Sequence, residues 1–278
     1  MKVSISSPAK INLHLKILDK NSDGYHNLDT SFQFIDLYDF MTFEQAKDGI
    51  LIDTSNSSLN TKDNTIYKAA ASLQKLSKKN YGVKITIKKN IPIGAGLGGG
   101  SSNAASTIIV LNKLWGLNLN QEQMIKIGRT IGADVPFFIS CKNAFASGIG
   151  DIFKEKESDI SKYIIIDPKI FNSTQKMFSD YEKSKKNKNE LLKDDQNSFW
   201  GIFLKNNKEV EDFYKKNSKK HKIYLSGSGS TMFIKYNSDA QKDKILKIIP
   251  SNWRFFLAKP LQYSPLQEFV KYWGVAKR

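Results

Sequence analysis

The chain has 278 residues, 43 lysine or arginine against 27 aspartate or glutamate, a formal charge of +16 and one cysteine. That length supports a sizeable core in one large domain or two ordinary ones, and a single cysteine, Cys141, excludes an internal disulfide and any cysteine-built metal cluster. No run of about 18 apolar residues and no apolar leader occurs, so neither a membrane partner nor export is expected and the protein is read as cytoplasmic.

From the N-terminus, residues 2–6 and 11–18 alternate apolar and polar side chains as two strands on either side of Pro8, with Lys10 leading into the second. Residues 32–35 and 39–43 are further strand-like runs, 64–76 read as a helix, and 83–89 alternate as a half-buried strand. The most informative segment follows: Pro92, Ile93, Gly94, Ala95, Gly96, Leu97, Gly98, Gly99, Gly100, Ser101 and Ser102. Ser101 and Ser102 are placed to N-cap a helix over 103–115. The order strand, glycine loop, helix turns main-chain N–H groups and a positive helix end onto one anion, and a polyphosphate is the expected ligand. A glycine-rich tight turn is the structural alternative.

Three well-known glycine motifs fail here. Gly100 is followed by two serines, not by the Lys-Ser/Thr of a P-loop. A dinucleotide fingerprint can be forced onto Gly94, Gly96 and Gly99, but no acidic residue follows before Glu122. The His-Arg-Asp and Asp-Phe-Gly segments of protein kinases are missing.

Beyond the loop, residues 121–131 read as a helix, and Asp134 stands between Gly132-Ala133 and Val135-Pro136-Phe137-Phe138. A charged break at 154–159 precedes the apolar strand 163–166, which sets the expected lobes at 1–157 and 158–278. The second half then reads as strand, helices, strand pair and helix. Its strand pair, 221–225 and 231–236, flanks Ser226-Gly227-Ser228-Gly229-Ser230, a hairpin loop by turn chemistry. Residues 183–189 read as an exposed, mobile loop. They share with 215–220 the lysine excess behind the net charge, whereas only Arg129, Arg254 and Arg278 are arginine. Base recognition exploits arginine's planar fork, so no nucleic-acid partner is expected. The Val135–Ile139 setting makes Cys141 a buried, inert thiol.

Taken together, Pro92–Ser102 continued by Asn103-Ala104-Ala105, with Ser7-Pro8-Ala9-Lys10-Ile11-Asn12-Leu13, Asp23-Gly24-Tyr25-His26, Ile131–Phe138 and Leu225–Gly229, resemble the GHMP small-molecule kinases, which act on galactose, homoserine and mevalonate. The closest resemblance is to the branch that phosphorylates a cytidine-diphosphate-linked polyol, 4-CDP-2-C-methyl-D-erythritol, on the route to isoprenoid precursors. It implies an α/β, two-lobed fold, with a ribosomal-S5-domain-2-like N-terminal lobe and a ferredoxin-like C-terminal lobe closing over the site. ATP would be the phosphoryl donor. Mg²⁺ is expected with it, held by phosphate oxygens and water, and no dedicated protein ligands are identified.

The same resemblance assigns roles. Asp134, by its setting a partly desolvated carboxylate or else a turn or cap residue, becomes the catalytic base. Lys10, otherwise a solvated strand lysine, becomes its charge partner, with Asn12 hydrogen-bonding near the acceptor. Tyr25 and His26, a flat ring and a donor–acceptor ring, become the cytidine reader, with Phe178 as the opposite face of a sandwich. Asn64 and Lys89, otherwise a helix cap and a strand-end lysine, are placed near the ATP base and ribose and join residues 92–102 in the ATP site. A kinase for a different alcohol, or a non-catalytic nucleotide- or RNA-binding protein, are the alternative readings.

Overall fold

The computed structural model describes residues 1–271 apart from 23, 56–60, 78, 80 and 187–195. Asp23 of the Asp-Gly-Tyr-His motif and residues 187–189 of the expected loop lie outside the described residues. Two strands, β1 (Lys2–Lys20) and β2 (His26–Ala46), pair antiparallel along nearly their full lengths. Each is continuous where the alternation predicts two. The interruptions are absorbed as register shifts, the first between Pro8 and Ala9, where proline has no N–H for the ladder.

Strand β3 (Ile50–Thr54) runs parallel to β4 (Gly82–Lys88), and α1 (Thr65–Leu76) makes the crossover such a pair requires. Then come α2 (Gly99–Leu114), α3 (Gln121–Ile131) and the short α4 (Val135–Ser140). Strands β5 (Ala144–Ser147) and β6 (Ile152–Glu155) complete a sheet of order β3-β4-β2-β5-β6, with β1 also on β2. Buried residues of the four helices and the inner face of this sheet form one core. Helix α2 is buried almost all round, which explains its apolar run of Ala104, Ala105 and Ile108–Leu111 and turns its polar Ser102, Asn103 and Ser106 onto the buried Ser7 and not to solvent.

The second sheet is built from β7 (Lys162–Asp167), β8 (Ile223–Leu225), β9 (Met232–Tyr236) and β10 (Arg254–Ala258) in the order β10-β7-β9-β8, all antiparallel. Helices α5 (Thr174–Lys186), α6 (Trp200–Asn206) and α7 (Lys208–Asn217) lie between β7 and β8, and α8 (Asp239–Leu246) between β9 and β10. This β-α-β-β-α-β order is ferredoxin-like, as expected. Strand β10 is an addition to the expected elements. It is an edge strand whose solvent side carries Phe255 and Leu257 while Phe256 and Ala258 face inward, so its alternation in burial is not matched by an alternation of apolar and polar residues. Lys183–Lys186, predicted as loop, finish α5.

A third apolar cluster joins the two sheets: Ala9, Ile11 and Ile35 from β1 and β2, Ile91 and Leu97 from the glycine segment, and Tyr163, Ile165 and Phe233 from the second sheet. After β10 the chain returns to the first sheet, where Leu261 N–H donates to Phe34 and Leu266 enters the first core before α9 (Gln267–Lys271). Among the described residues no helix is long and apolar enough to cross a membrane.

Candidate active site

Between the sheets opens a cleft of about 900 Å³, and all the sequence-predicted site residues except Leu97 and Ser102 line it. Leu97 is buried between the sheets, and Ser102 hydrogen-bonds Ser7 from inside the core at 2.8 Å. The glycine segment takes positive φ at Gly94, Gly96 and Gly98, and at Gly96 the need is steric as well. A Cβ there would lie 2.3 Å from the Ser226 carbonyl oxygen. Helix α2 begins at Gly99 with Gly98 as its left-handed N-cap, four residues earlier than the serine caps predict. Gly98, lacking a side chain, lets the helix start against the Phe138 ring, where a Cβ would sit 2.8 Å away. Ser101 and Ser102 therefore stand in the first turn, and the N–H groups of Gly99, Gly100 and Ser101 have no acceptor within the helix.

Lys10 is 3% exposed on β1. Its Nζ donates to Asn12 Oδ1 at 2.6 Å, lies 3.3 Å from Asp134 Oδ2 and stands 5.1 Å from the centre of the Phe32 ring. Asp134 occupies the N-cap position of α4 but makes no side-chain capping bond. Helix α4 is pinned by Phe137, stacked on Phe34 at 4.4 Å, so the carboxylate is presented on a rigid edge, 35% exposed to the cleft. Asn12 also donates from Nδ2 to Thr30 Oγ1 at 2.8 Å, and Thr30 in turn donates to the His14 carbonyl at 2.6 Å. Thr30 was not singled out from sequence, since a lone threonine on a strand carries no motif.

The hairpin loop between β8 and β9 is indeed a turn, and it also closes onto the glycine segment. Ser226 Oγ donates to the Gly96 carbonyl at 3.1 Å, and Thr231 N–H donates to Ala95 at 3.1 Å. Asn172, ahead of α5, donates its side-chain amide to the Ser228 carbonyl, and Thr174 and Ser228 share a hydroxyl contact of 2.8 Å.

On the other side of the cleft, His26 lies against Phe178 with ring centres 5.3 Å apart and planes 19° apart, and Tyr181 meets its edge. Its Nε2 is 2.5 Å from Glu182 Oε1, and Lys20 holds Glu182 Oε2 at 3.1 Å. Those two bonds, His26 first, hold the Glu182 carboxyl below the usual range. Tyr25 is 64% exposed at the mouth. One face of Phe178 thus carries the His26 ring. Glu182, on a polar helix with many charges, gave no sequence signal.

Asn64 caps α1, its Oδ1 accepting from Ile66 N–H at 2.9 Å. Thr65 Oγ1 donates to the Gly100 carbonyl and ties α1 to the start of α2. Lys89 is not a solvated strand end. It is ion-paired with the buried Asp39, and burial pushes its pKa down. Cys141 is buried, as expected, and burial pushes its thiol up to about 12. Among the described residues no group of three or more His, Cys, Asp or Glu side chains is arranged to hold a metal ion.

The family model described as GHMP kinases N terminal domain matches residues 64–142, from the cap of α1 past α4. A 4-diphosphocytidyl-2-C-methyl-D-erythritol kinase of Acinetobacter baylyi is 38% identical, the match covering 96% of this chain and 99% of the relative. Among solved structures, a 4-(cytidine 5'-diphospho)-2C-methyl-D-erythritol kinase superimposes with a TM-score of 0.76 at 24% identity over 93% of this chain and 99% of the other. The mevalonate kinase of Methanococcus jannaschii does so with 0.65 at 15% identity, over 94% and 99%. Both share the two-lobed fold.

Proposed function

Because the chain belongs to the 4-diphosphocytidyl-2-C-methyl-D-erythritol kinase family of GHMP kinases, we propose that it transfers the γ-phosphoryl group of ATP to the 2-hydroxyl of 4-CDP-2-C-methyl-D-erythritol. The observation that carries this reading is the 3.3 Å contact of Lys10 with Asp134, in the same cleft as the N-terminal end of α2. In one step the acceptor oxygen bonds to the γ-phosphorus, the bond to the β–γ bridging oxygen breaks, and the hydroxyl proton passes to the Asp134 carboxylate. ADP leaves without a phosphoenzyme, and the proton departs through the exposed edge of Asp134. Lys10 pairs with the carboxylate and offsets charge growing on the transferred group, while Asn12 orients Lys10 and the acceptor.

The loop N–H groups and the positive end of α2 hold the phosphates, with the Lys89 ammonium beside Gly99 at that end and Asn64 further along the same wall. Tyr25, His26 and Phe178 form the cytidine side, with His26 held by Glu182. For magnesium the cleft offers the Ser101 hydroxyl and two carboxylates, Asp63 and Asp134, with no cluster of three or more ligating side chains among the described residues, a donor set that fits an ion carried in by the triphosphate and not one caged by protein. The ion would supply charge neutralisation. A division into lobes at 157/158 is supported by the first sheet ending at Glu155 and the second beginning at Lys162, with the strap from Lys259 onward folding back onto the first.

The test is ADP release with 4-CDP-2-C-methyl-D-erythritol, mevalonate, homoserine and galactose offered separately, alongside D134N. Turnover confined to the CDP compound and lost in D134N is the expected result. Turnover on another acceptor overturns the cytidine assignment, and turnover on none overturns the kinase reading.

A further inference from the structure

Two lysines, Lys10 buried and Lys89 half-buried, flank the start of α2. A Cβ at Gly98 would lie 3.1 Å from Lys10 Cε, and one at the next residue, Gly99, would lie 3.2 Å from Lys89 Nζ. Cations beside the positive end of a helix repel it unless an anion arrives between them. Lys10 has Asp134. The corresponding partner of Lys89 is Asp39 on β2, a carboxylate with 0% exposure.

The two Asp39 oxygens have separate tasks. Oδ1 accepts the backbone N–H groups of Asn90 and Ile91 at 2.8 and 2.9 Å, fixing the entry to the glycine segment. Oδ2 faces Lys89 Nζ and accepts from Asn103 Nδ2 at 3.0 Å. Asn103, from α2, closes the triangle by accepting from Lys89 Nζ at 2.9 Å. Building on the ATP site argued above, we propose that Asp39 is a positioning residue for the nucleotide, holding the Lys89 ammonium charged and aimed at the phosphate-binding end of α2. Among the described residues Asp39 is the one carboxylate in ion-pair contact with Lys89, and α2 adds only the Asn103 amide and its own positive end. Burial draws the Lys89 pKa down and Asp39 opposes it, so without that charge the ammonium loses its proton at a lower pH.

D39N separates the two tasks, because an amide oxygen still serves the Asn90 and Ile91 N–H groups while its NH₂ confronts Lys89. The expected result is an ATP KM raised about tenfold or more, the scale of one charge-assisted hydrogen bond, with the KM for the CDP substrate unchanged. The raised KM should climb with rising pH, and the climb should begin at a lower pH than in the wild type, because the ammonium loses its proton sooner without Asp39. K89M should raise the same KM, and D39N/K89M should be no worse than K89M alone. An ATP KM within about twofold of wild type in D39N, or additive losses in the double variant, overturns the positioning role. Unchanged ATP KM in K89M instead overturns the placement of Lys89 at the nucleotide. If D39N is unfolded by circular dichroism, N103A replaces it. It leaves both charges and removes the bridge, and an unchanged ATP KM there also overturns the proposal.

Discussion

Asp134 occupies the N-cap position of α4, yet its carboxylate caps nothing and lies 3.3 Å from Lys10 Nζ, a lysine 124 positions away in sequence. A cap would serve stability, whereas a charge pair at the edge of the cleft is placed for the phosphoryl transfer proposed above. K10M and D134N should each lower kcat by at least about 10², and the double variant should lose little more than either alone, as residues acting on one transition state do. Steady-state kinetics on the three variants, with thermal melts to establish folding, check this. Independent, multiplying losses would separate the two roles.

Gly96 carries φ of +78° and faces the Ser226 carbonyl at a distance no Cβ tolerates. G96A should cost about 1–2 kcal/mol for the left-handed backbone alone, and more for the clash. It should also move the β8–β9 loop off the glycine segment. A lowered Tm together with a raised ATP KM is the expected pair of results, read by calorimetry and by kinetics.

Glu182 links α5 to β1 and β2 through Lys20 and His26, and those bonds depress its carboxyl pKa. A depressed carboxylate contributes stability that is complete above its unfolded value, near 4.5, and is lost as pH falls from there through the lower folded value. E182Q should therefore be less stable than wild type at pH 7, and the gap should shrink below pH 4.5. Urea midpoints of the two proteins across that range measure it. A gap independent of pH would assign the effect to packing.

Cys141 is sealed in the first core with its thiol raised to about 12. Native protein should not react with a thiol-specific reagent at pH 8, and reaction should follow global unfolding. Rapid labelling of the native state would contradict the packing around α4.

The glycine segment, α1, α3 and the β8–β9 pair were legible because each has a local cause: backbone freedom, an Asn cap, 3.6-residue spacing, two-residue alternation. Strand β10 was not, since an edge strand with exposed Phe255 and Leu257 has no alternation of apolar and polar residues to read. The start of α2 was misplaced because serine preference argues from side chains. Gly98 was chosen by the approach of the Phe138 ring, 40 residues on in α4.

By itself the sequence determined which chemistries were available: a polyphosphate loop, one carboxylate before an apolar helix, one lysine in a strand motif, an aromatic pair, one inert thiol. Local preference acts over a few residues, so it names these groups without saying which of them meet. The tertiary structure decided that Lys10 answers Asp134, that Asp39 answers Lys89 and that Glu182 answers His26. Each is a charge held by a partner 50 or more residues away. Removing charge from water is costly enough that tertiary packing, of α4 against β1, of the end of β4 beside β2 and of α5 against β2, had to supply the partner before the side chain could be buried.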